Sequence, residues 1–250
     1  LSKSIIDYIE YLENKELKYV IKNVGLCGGK GVKVYGDHLH TLKDTLQHCL
    51  HLYENKQNFL IEEKLVGKEF SLMSFSDGRN LKHMPIVQDF KRAYEFDKGP
   101  NTGGMGSISY ADHKMPFLSE DDVSFAQKIN NMVILHLFDF KDCALHMNVS
   151  GYVGILYGSF IKTDNGIKVI EYNSRFGDPE CLNIMSLLQT DLGKIFKAMI
   201  EGSLDKINIQ YKNKASVCKY VVPLGYPIKS ETNQDVFINK INTKDNIYFA

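Results

Sequence analysis

Charged and amide side chains follow an apolar run in the segment VIEYNSRFGDPE (169–180). If the run is a strand, Glu171 and Asn173 project from one face, because side chains two residues apart in a strand point the same way. Their oxygens suit Mg²⁺ held against substrate phosphates. If the strand continues, Arg175 shares that face and would bind a phosphoryl oxygen through its forked guanidinium. Asp178, which precedes a proline, is explained more simply as a helix N-cap. The segment therefore predicts a metal and phosphate site at a strand end.

A glycine-rich run, GLCGGKG (25–31), follows a short predicted strand. Exposed backbone N–H groups in such a run can surround a phosphate, and Lys30 would balance its charge. The run is not a Walker A loop, because Gly31 stands where that motif needs Ser or Thr and Val24 stands where it needs glycine. A flexible hairpin tip would explain the glycines, but not Lys30 or Lys22, which enters from the strand. The run is therefore a candidate phosphate loop.

Three acidic residues, Glu62, Glu63 and Glu69, surround a short turn centred on Gly67 in the segment IEEKLVGKEF (61–70). Taken alone, this arrangement is most simply a solvated surface turn between two hairpin strands. Spacing alone therefore assigns no role to these acids.

Glycines in the segment NTGGMG (101–106) allow the backbone to approach a ligand closely. Asp89, Lys91 and Arg92 precede this segment and would hold zwitterionic or phosphorylated groups through charge-assisted hydrogen bonds. A plain structural loop is the alternative interpretation. The segment is therefore a candidate substrate-binding loop.

Helices and strands must position these motifs. Helical spacing and capping residues predict helices at 2–17, about 39–54, about 119–140 and from 179 onward. Apolar runs and turn pairs predict strands at 19–22, 59–63, 69–76, 81–87, 152–161 and 167–172, the last two joined by a turn at Asn165-Gly166. The stretch 88–110 shows neither the periodicity of a helix nor the alternation of a strand, which predicts a long ordered loop. After Ser203 the sequence predicts strands of a further module that the chain does not complete.

Lysine and arginine together number 30, as do aspartate and glutamate. This balance provides no overall basic field, so we expect neither nucleic acid nor a membrane as a partner. The five cysteines form no CxxC pair, which favours reduced thiols in a cytoplasmic protein. No apolar run approaches the ~20 residues of a membrane-spanning helix, so we expect a soluble protein. The chain begins at Leu1 without a signal-peptide pattern, and we interpret it as a segment of a longer protein.

Four blocks of sequence, taken together and in order, resemble one family of enzymes. They are VIKNVGLCGGKGV, IEEKLVGKEFS, QDFKRAYEFDKGPNTGGMG and VIEYNSRFGDPE. Over about residues 1–205 the chain resembles the phosphoribosylamine–glycine ligase family of the ATP-grasp superfamily. The glycine loop and the Glu-x-Asn strand are shared across that superfamily, whereas DKGPNTGGMG together with RFGDPE is specific to this ligase.

The resemblance implies an α+β ATP-grasp fold, in which two α+β subdomains clasp the nucleotide between them. We expect a lid subdomain over residues 1–62, a core subdomain with the metal site over 63–205, and the start of an incomplete C-terminal domain over 206–250. The resemblance also implies an N-terminal domain that precedes Leu1.

The activity implied is ATP-dependent ligation of glycine to 5-phosphoribosylamine through glycyl phosphate, a step of de novo purine synthesis. The cofactors would be ATP and Mg²⁺, with Mn²⁺ as an alternative cation. The partners would be the two substrates and the missing domains of the same chain. Phosphoryl transfer of this kind depends on positioning and charge neutralisation more than on a side-chain nucleophile.

The resemblance also implies roles for individual residues. Among the residues that would bind ATP, the lysines that face the phosphates would be Lys22 and Lys30, and Gly28 and Gly29 would belong to a mobile lid loop. The hinge that contacts adenine would contain Glu62, Glu63 and Leu65, and Glu69 would be the acid that binds the ribose hydroxyls. Those that would face the amine and glycine are Asp89, Lys91, Asn101, Thr102, Gly103, Gly104 and Met105. Glu171 and Asn173 would be the metal ligands. Arg175, beside the transferred phosphoryl group, and Lys30 would be catalytic.

This sequence departs from the family pattern at a few positions. Cys27 and Gly28 stand where small residues such as Ala are common, and Lys64 and Lys68 replace an aromatic residue and an acid of the hinge. Two alternative functions stay open. One is a different ATP-grasp carboxylate–amine ligase, which would differ at 88–106. The other is a non-catalytic ATP-binding fragment of a larger chain, against which the intact Glu-x-Asn-x-Arg pattern counts.

Overall fold

The computed structural model describes residues 3–15, 17–25, 31–96, 98–139, 151–238 and 246–249. Its helices are α1 (Lys3–Asn14), α2 (Leu42–Glu54), α3 (Glu120–Asp139), α4 (Glu180–Leu187) and α5 (Leu192–Ile200). Its strands are β1 (Tyr19–Asn23), β2 (Val32–Val34), β3 (Phe59–Glu63), β4 (Lys68–Asp77), β5 (Leu81–His83), β6 (Gln88–Tyr94), β7 (Lys98–Ser109), β8 (Val153–Thr163), β9 (Gly166–Asn173) and β10 (Ser216–Lys219). Antiparallel pairing arranges these strands in three sheets, with orders β2-β1-β3, β5-β4-β8-β9 and β10-β7-β6. Helices combined with antiparallel sheets are the predicted α+β class.

The first sheet packs one face against α1 and α2. The buried apolar side chains of this cluster come from the sheet, the two helices and the turn before α2, and they are Ile9, Leu12, Tyr19, Ile21, Leu39, Cys49 and Leu52. α2 begins at Leu42 because Thr41 caps it: Thr41 Oγ1 accepts from the Asp44 backbone N–H at 3.1 Å, and the Asp44 carboxylate accepts from the Thr41 N–H at 3.1 Å. The alternate residues of β1, including Lys22, therefore point away from the helices.

The second sheet is covered on both faces. On one face, toward α3, the buried residues include Phe70, Leu72, Phe160, Ile167, Val123 and Ala126. On the other, toward α4 and α5, they include Met73, Phe75, Ile155, Tyr157, Ile184 and Ile195. This double coverage explains why β4 and β8 are buried along most of their length, without the alternation of a half-exposed strand.

Residues 88–110 do not form the predicted loop. β6 and β7 pair as a hairpin with shifted register, and β10 extends their sheet. The alternation typical of a strand is missing because glycines here permit close backbone packing. A Cβ on Gly106 would lie 2.6 Å from the Cys218 carbonyl oxygen, and one on Gly104 would lie 2.7 Å from Pro179 Cδ. The sequence-based prediction of a loop was therefore wrong.

Local signals for helix starts and turns had mixed outcomes. The predicted capping box is confirmed, because Ser119 Oγ accepts from the Asp122 N–H at 3.1 Å and Asp122 Oδ2 accepts from the Ser119 N–H at 3.0 Å. The predicted N-cap at Asp178 is wrong, since α4 begins at Glu180 and its N-cap is Pro179. The strand predicted over 81–87 ends at His83.

The chain divides into two compact units, Leu1–Tyr220 and Val221–Ala250. All the helices and strands named above lie in the first unit. The described residues of the second unit form turns and irregular backbone and expose large apolar side chains: Val221, Leu224, Ile228, Phe237 and Phe249. The predicted limits at 62 and 205 stay predictions. In the part of the chain that the structure describes, no helix has the length and hydropathy needed to cross a bilayer.

Candidate active site

One face of the second sheet has an apolar half and a polar half. Met73 lies in the apolar half, beneath α4 and α5. Toward the start of β4 the same face carries Ser71 and Glu69, which precede Met73 by two and four residues. Across the sheet, Ser71 pairs with Ser159, which in turn pairs with Glu171. Because opposite residues of antiparallel strands share a face, Glu69, Ser71 and Glu171 lie on one polar surface.

A β-bulge in β9 decides which side chains reach this polar surface. Ser159 of β8 pairs with Glu171, whereas the next residue of β8 pairs with Val169, so Ile170 is an extra residue in β9. Beyond the bulge, Glu171 and Asn173 share the polar surface, as their spacing predicts. The Asn173 side-chain amide donates to Glu171 Oε1 at 3.1 Å.

The donor atoms of Glu171 and Asn173 fit a hard divalent cation, which prefers carboxylate and carbonyl oxygens. Among the residues that the structure describes, no group of three or more His, Cys, Asp and Glu is arranged to hold a metal by itself. A cation at this pair would take its other ligands from substrate phosphates and water. Mg²⁺ commonly binds in this way, with one or two carboxylates from the protein.

Lys91 lies among carboxylates at the edge of the polar surface. Ser71 and Val87 exchange two backbone hydrogen bonds, of 2.7 and 3.1 Å, and so place the start of β6 beside β4. Lys91 Nζ then lies 3.5 Å from Glu69 Oε2 and 3.6 Å from Asp89 Oδ2. Glu69, to which the resemblance gives the role of binding ribose, thus lies close to Asp89 and Lys91, to which it gives the role of binding a substrate.

Electrostatics keep the Lys91 ammonium charged. Burial lowers the pKa of Lys91, but the negative charges of Asp89, Glu69, Glu171 and Glu180 outweigh that effect and raise this pKa to about 12. Lys91 therefore neutralises part of the charge that Asp89, Glu69 and Glu171 place around the polar surface.

Lys22 links the first sheet to the bulge in the second. Its ammonium lies 2.5 Å from Glu62 Oε2 and donates to the Ile170 carbonyl at 3.2 Å. Two implied ATP-binding residues, Lys22 and Glu62, are therefore in contact. Glu63 is exposed at the end of β3, and Leu65 is half-buried in the segment that follows. Gly28, Gly29 and Lys30 lie outside the described residues.

The segment 101–105 belongs to β7 and approaches the residues that precede α4. Gly104 is in close contact with Pro179 and with the Asp178 carbonyl, from which a Cβ at Gly104 would lie 3.3 Å away. Thr102 Oγ1 donates to the Lys91 carbonyl at 2.9 Å and accepts from the Gly104 N–H at 3.1 Å. Proximity to Lys91 is consistent with a place beside the polar surface.

The other implied substrate residues of β7 differ in their surroundings. Asn101 pairs with Arg92 across the hairpin. The Met105 carbonyl accepts from the Tyr220 backbone N–H at 3.0 Å. Gly103 adjoins open space, because a Cβ there would meet no atom within 4 Å.

Arg175 lies beyond the end of the strand that carries Glu171 and Asn173. β9 ends at Asn173, so the condition that the strand continues is not met. The exposed Arg175 guanidinium donates to the Phe176 carbonyl at 2.8 Å. Asp178, which is not the N-cap, accepts a hydrogen bond from the Tyr220 hydroxyl.

Glu180, which the spacing arguments overlooked, is buried beside the polar surface. It is 2% exposed, and its Oε1 accepts from the Tyr157 hydroxyl at 2.6 Å and from Ser71 Oγ at 3.1 Å. Burial, followed by the repulsion of Asp89, raises the pKa of Glu180. An acid in the first turn of a helix is ordinarily explained by its favourable interaction with the helix dipole. The one sequence signal for a buried Glu180 is Gly177, three residues earlier, because a glycine permits close packing of the backbone against a side chain.

The fold is the ATP-grasp fold. The crystal structure of phosphoribosylamine–glycine ligase from Thermotoga maritima matches with a TM-score of 0.67 and 26% identity, over 90% of this chain and 55% of that one. N5-carboxyaminoimidazole synthetase from Staphylococcus aureus, complexed with ADP, matches with a TM-score of 0.56 over 86% of this chain and 49% of that one. Its 17% identity shows the shared fold alone.

The chain belongs to the family of phosphoribosylglycinamide synthetase ATP-grasp (A) domains, whose model matches residues 3–181. Phosphoribosylamine–glycine ligase of Methanosarcina acetivorans is 44% identical over 231 residues, which are 92% of this chain and 50% of that relative. The ligase of Methanocella arvoryzae is 46% identical over 221 residues, 88% of this chain and 49% of that relative. The chain thus spans about half the length of these relatives. The resemblance stated from the sequence blocks is confirmed.

Proposed function

We propose that the chain is the ATP-grasp part of a phosphoribosylamine–glycine ligase of purine biosynthesis. In the proposed reaction the glycine carboxylate takes the γ-phosphoryl group of ATP, which gives glycyl phosphate and ADP. The amine of 5-phosphoribosylamine then attacks the acyl carbon and releases phosphate. Further domains of the same protein, whose existence the length of the relatives supports, would complete the substrate sites. A cytoplasmic location is part of the same proposal.

The observation that carries the proposal is the polar surface of the second sheet. It combines the carboxylate and amide oxygens of Glu171 and Asn173 with Glu69 and with the ammonium of Lys91. A site that only binds nucleotide has no need of paired oxygens beside a lysine and a second group of acids. Transfer of a phosphoryl group to a carboxylate needs a cation site and a lysine, because the negatively charged phosphate and the negatively charged carboxylate must be brought together.

Glu171 and Asn173 would hold Mg²⁺, or Mn²⁺ in its place, and that cation would supply charge neutralisation at the phosphates. Lys22 would leave its partners Glu62 and Ile170 to reach a phosphate oxygen. Glu63 and Leu65 would contact adenine at the hinge, and Glu69 would accept from the ribose hydroxyls.

On the substrate side, Asp89 and Lys91 would bind the charged ends of glycine, and the backbone of 101–105 would border the amine. Arg175 and Lys30 would contact the transferred phosphoryl group from the segments that carry them. Long cationic side chains suit this role, since they can reach a phosphate oxygen from some distance.

Hydroxylamine trapping tests the reaction. With ATP, Mg²⁺ and glycine, the full-length protein is expected to form glycine hydroxamate when hydroxylamine replaces the amine substrate, because hydroxylamine intercepts acyl phosphates. The product is measured as its coloured iron complex and by mass spectrometry, with other carboxylic acids and amines as controls. Release of phosphate without hydroxamate would contradict an acyl phosphate route. Preference for a different acid would favour another ATP-grasp ligase.

ATP is expected to stabilise the protein against heat more than GTP does. The hinge that contains Glu62 and Leu65 would accept a hydrogen bond from the adenine amino group, where guanine presents an oxygen that leaves a polar group unpaired. We expect at least about tenfold weaker binding of GTP, and melting temperatures at equal nucleotide and Mg²⁺ concentrations measure the difference. Equal shifts with the two nucleotides would contradict the assignment of the hinge.

A further inference from the structure

The segment 174–179 connects the strand of the proposed metal ligands to α4 and carries Arg175. Its middle rests on the apolar half of the second sheet: the Phe176 ring lies edge-on to Phe75 at a centroid distance of 6.2 Å, and the Gly177 N–H lies 3.3 Å from Met73 Sδ. These contacts hold the middle of the segment. Its end is held by the first residue of α4, Glu180.

Glu180 and Gly177 form one packed unit. A Cβ on Gly177 would lie 2.5 Å from Glu180 Oε2 and 2.6 Å from the Tyr157 ring. The backbone of the segment therefore lies directly against the buried carboxyl group. Any displacement of that carboxyl group opens a gap beneath Gly177, two residues from Arg175.

The carboxyl group is in turn fixed to the centre of the second sheet. Tyr157 and Ser71 both donate to Glu180 Oε1, and their hydroxyl oxygens lie 2.7 Å from each other, so the three side chains form one compact polar cluster. Tyr157 pairs with Asn173 through the backbone of β8 and β9. The cluster therefore joins the start of α4 to the strand that carries Asn173.

We propose that Glu180 is a positioning residue, which holds the segment 174–179, and with it Arg175, in place beside Glu171 and Asn173. The inference rests on the proposed function, because Arg175 is assigned its role in that reaction. Glu180 acts as a hydrogen-bond acceptor rather than as a charge: both side-chain bonds described end on Oε1, an atom that glutamine retains. The raised pKa of Glu180 agrees with this role, since it reduces the cost of a neutral side chain at this position.

Two substitutions in the full-length protein separate this role from a purely structural one. Glu180→Met removes the acceptor at similar length, and Glu180→Gln retains it. The first measurement is limited digestion with trypsin, which cleaves after the exposed Arg175; fragments are identified by mass spectrometry. The second is steady-state ligase kinetics.

For Glu180→Met we expect cleavage after Arg175 to become about tenfold faster or more, with cleavage elsewhere changed less than about twofold, because only this segment is released. We expect kcat to fall about 10–100-fold while KM for ATP stays within about threefold, since misplacement of a group that acts on the phosphoryl oxygen affects the transition state. Glu180→Gln is expected to restore both the protection and most of kcat. Glu120→Met, at the exposed first residue of α3, serves as the matched control and should resemble the wild type in both measurements.

Unchanged protection of Arg175 in Glu180→Met would overturn the proposal. So would a uniform increase in cleavage, which indicates general destabilisation, or a Glu180→Gln protein as impaired as Glu180→Met, which indicates a role for the charge. If Glu180→Met does not fold, Tyr157→Phe decides, because it removes one donor to Oε1 and is expected to loosen the same segment; wild-type protection in Tyr157→Phe would then overturn the proposal. A wild-type protein without ligase activity would contradict the proposed function, while the digestion still tests the positioning role.

Discussion

Glu171→Gln and Asn173→Ala are each expected to abolish measurable ligase turnover in the full-length protein while the fold stays intact. Glu171→Gln removes the negative charge of the carboxylate and one of its oxygens, and Asn173→Ala removes the amide oxygen, so in either variant the cation would be held less well and the γ-phosphoryl group would lose its position and the neutralisation of its charge. Loss of preorganised charge stabilisation of this kind typically costs about 10²–10³ in kcat, or roughly 3–4 kcal/mol. Initial rates at saturating and at limiting Mg²⁺ measure the effect.

Asp164→Asn provides the control for this experiment. Asp164 is an exposed acid at the turn of the same hairpin, and its replacement is expected to change stability by no more than about 0.5 kcal/mol and to leave turnover unchanged. Near-normal turnover of Glu171→Gln at limiting Mg²⁺ would show that the end of β9 is not the metal site.

Phe160→Ala is expected to destabilise the protein by about 3–5 kcal/mol. Phe160 is fully buried, its ring stacks on Phe70 at 5.5 Å between centroids, and it meets the edge of Tyr172 at 6.3 Å. Truncation would leave a cavity between β4, β8 and α3 that rigid backbone cannot close. The midpoint of urea denaturation, followed by circular dichroism, measures the loss.

Phe125→Ala is the matched control for Phe160→Ala. Phe125 lies on α3 and is 49% exposed, so its removal leaves no closed cavity and should cost less than about 1 kcal/mol. A loss below that value for Phe160→Ala would contradict the assignment of this ring to the core of the second sheet.

Local patterns predicted much of the fold because the relevant signals lie within a few residues of each other. Ser119 and Asp122 cap α3 through mutual hydrogen bonds, and the turn at Asn165-Gly166 fixes the hairpin of β8 and β9. The β6–β7 hairpin escaped prediction for a physical reason. Its strands are stabilised by close contact with other backbone segments, as at Gly104 and Gly106, and not by an alternation of buried and exposed side chains that a sequence pattern would reveal.

The candidate site depends on contacts that spacing does not reveal. Lys91 meets Glu69 across two strands, and Lys22 meets the carbonyl of Ile170, 148 residues away in the chain. Glu180 has the appearance of an ordinary acid at a helix start until its burial is known. Motifs therefore suggested the residue types of the candidate site, whereas tertiary packing determines which of them are neighbours.

The extra residue in β9 sets the direction in which the side chains after it point. Ile167 and Tyr172, one at an odd and one at an even position, both pack toward α3, and only an inserted residue between them makes this compatible with a strand. Deletion of Ile170 would remove the bulge and leave a strand of unbroken alternation, in which Tyr172 still faces α3 while Glu171 and Asn173 stay on the polar surface. The loss would fall elsewhere, because the carbonyl that accepts from Lys22 belongs to Ile170. The inserted residue therefore supplies a backbone acceptor to the neighbouring sheet at a point where a regular strand has no residue to spare.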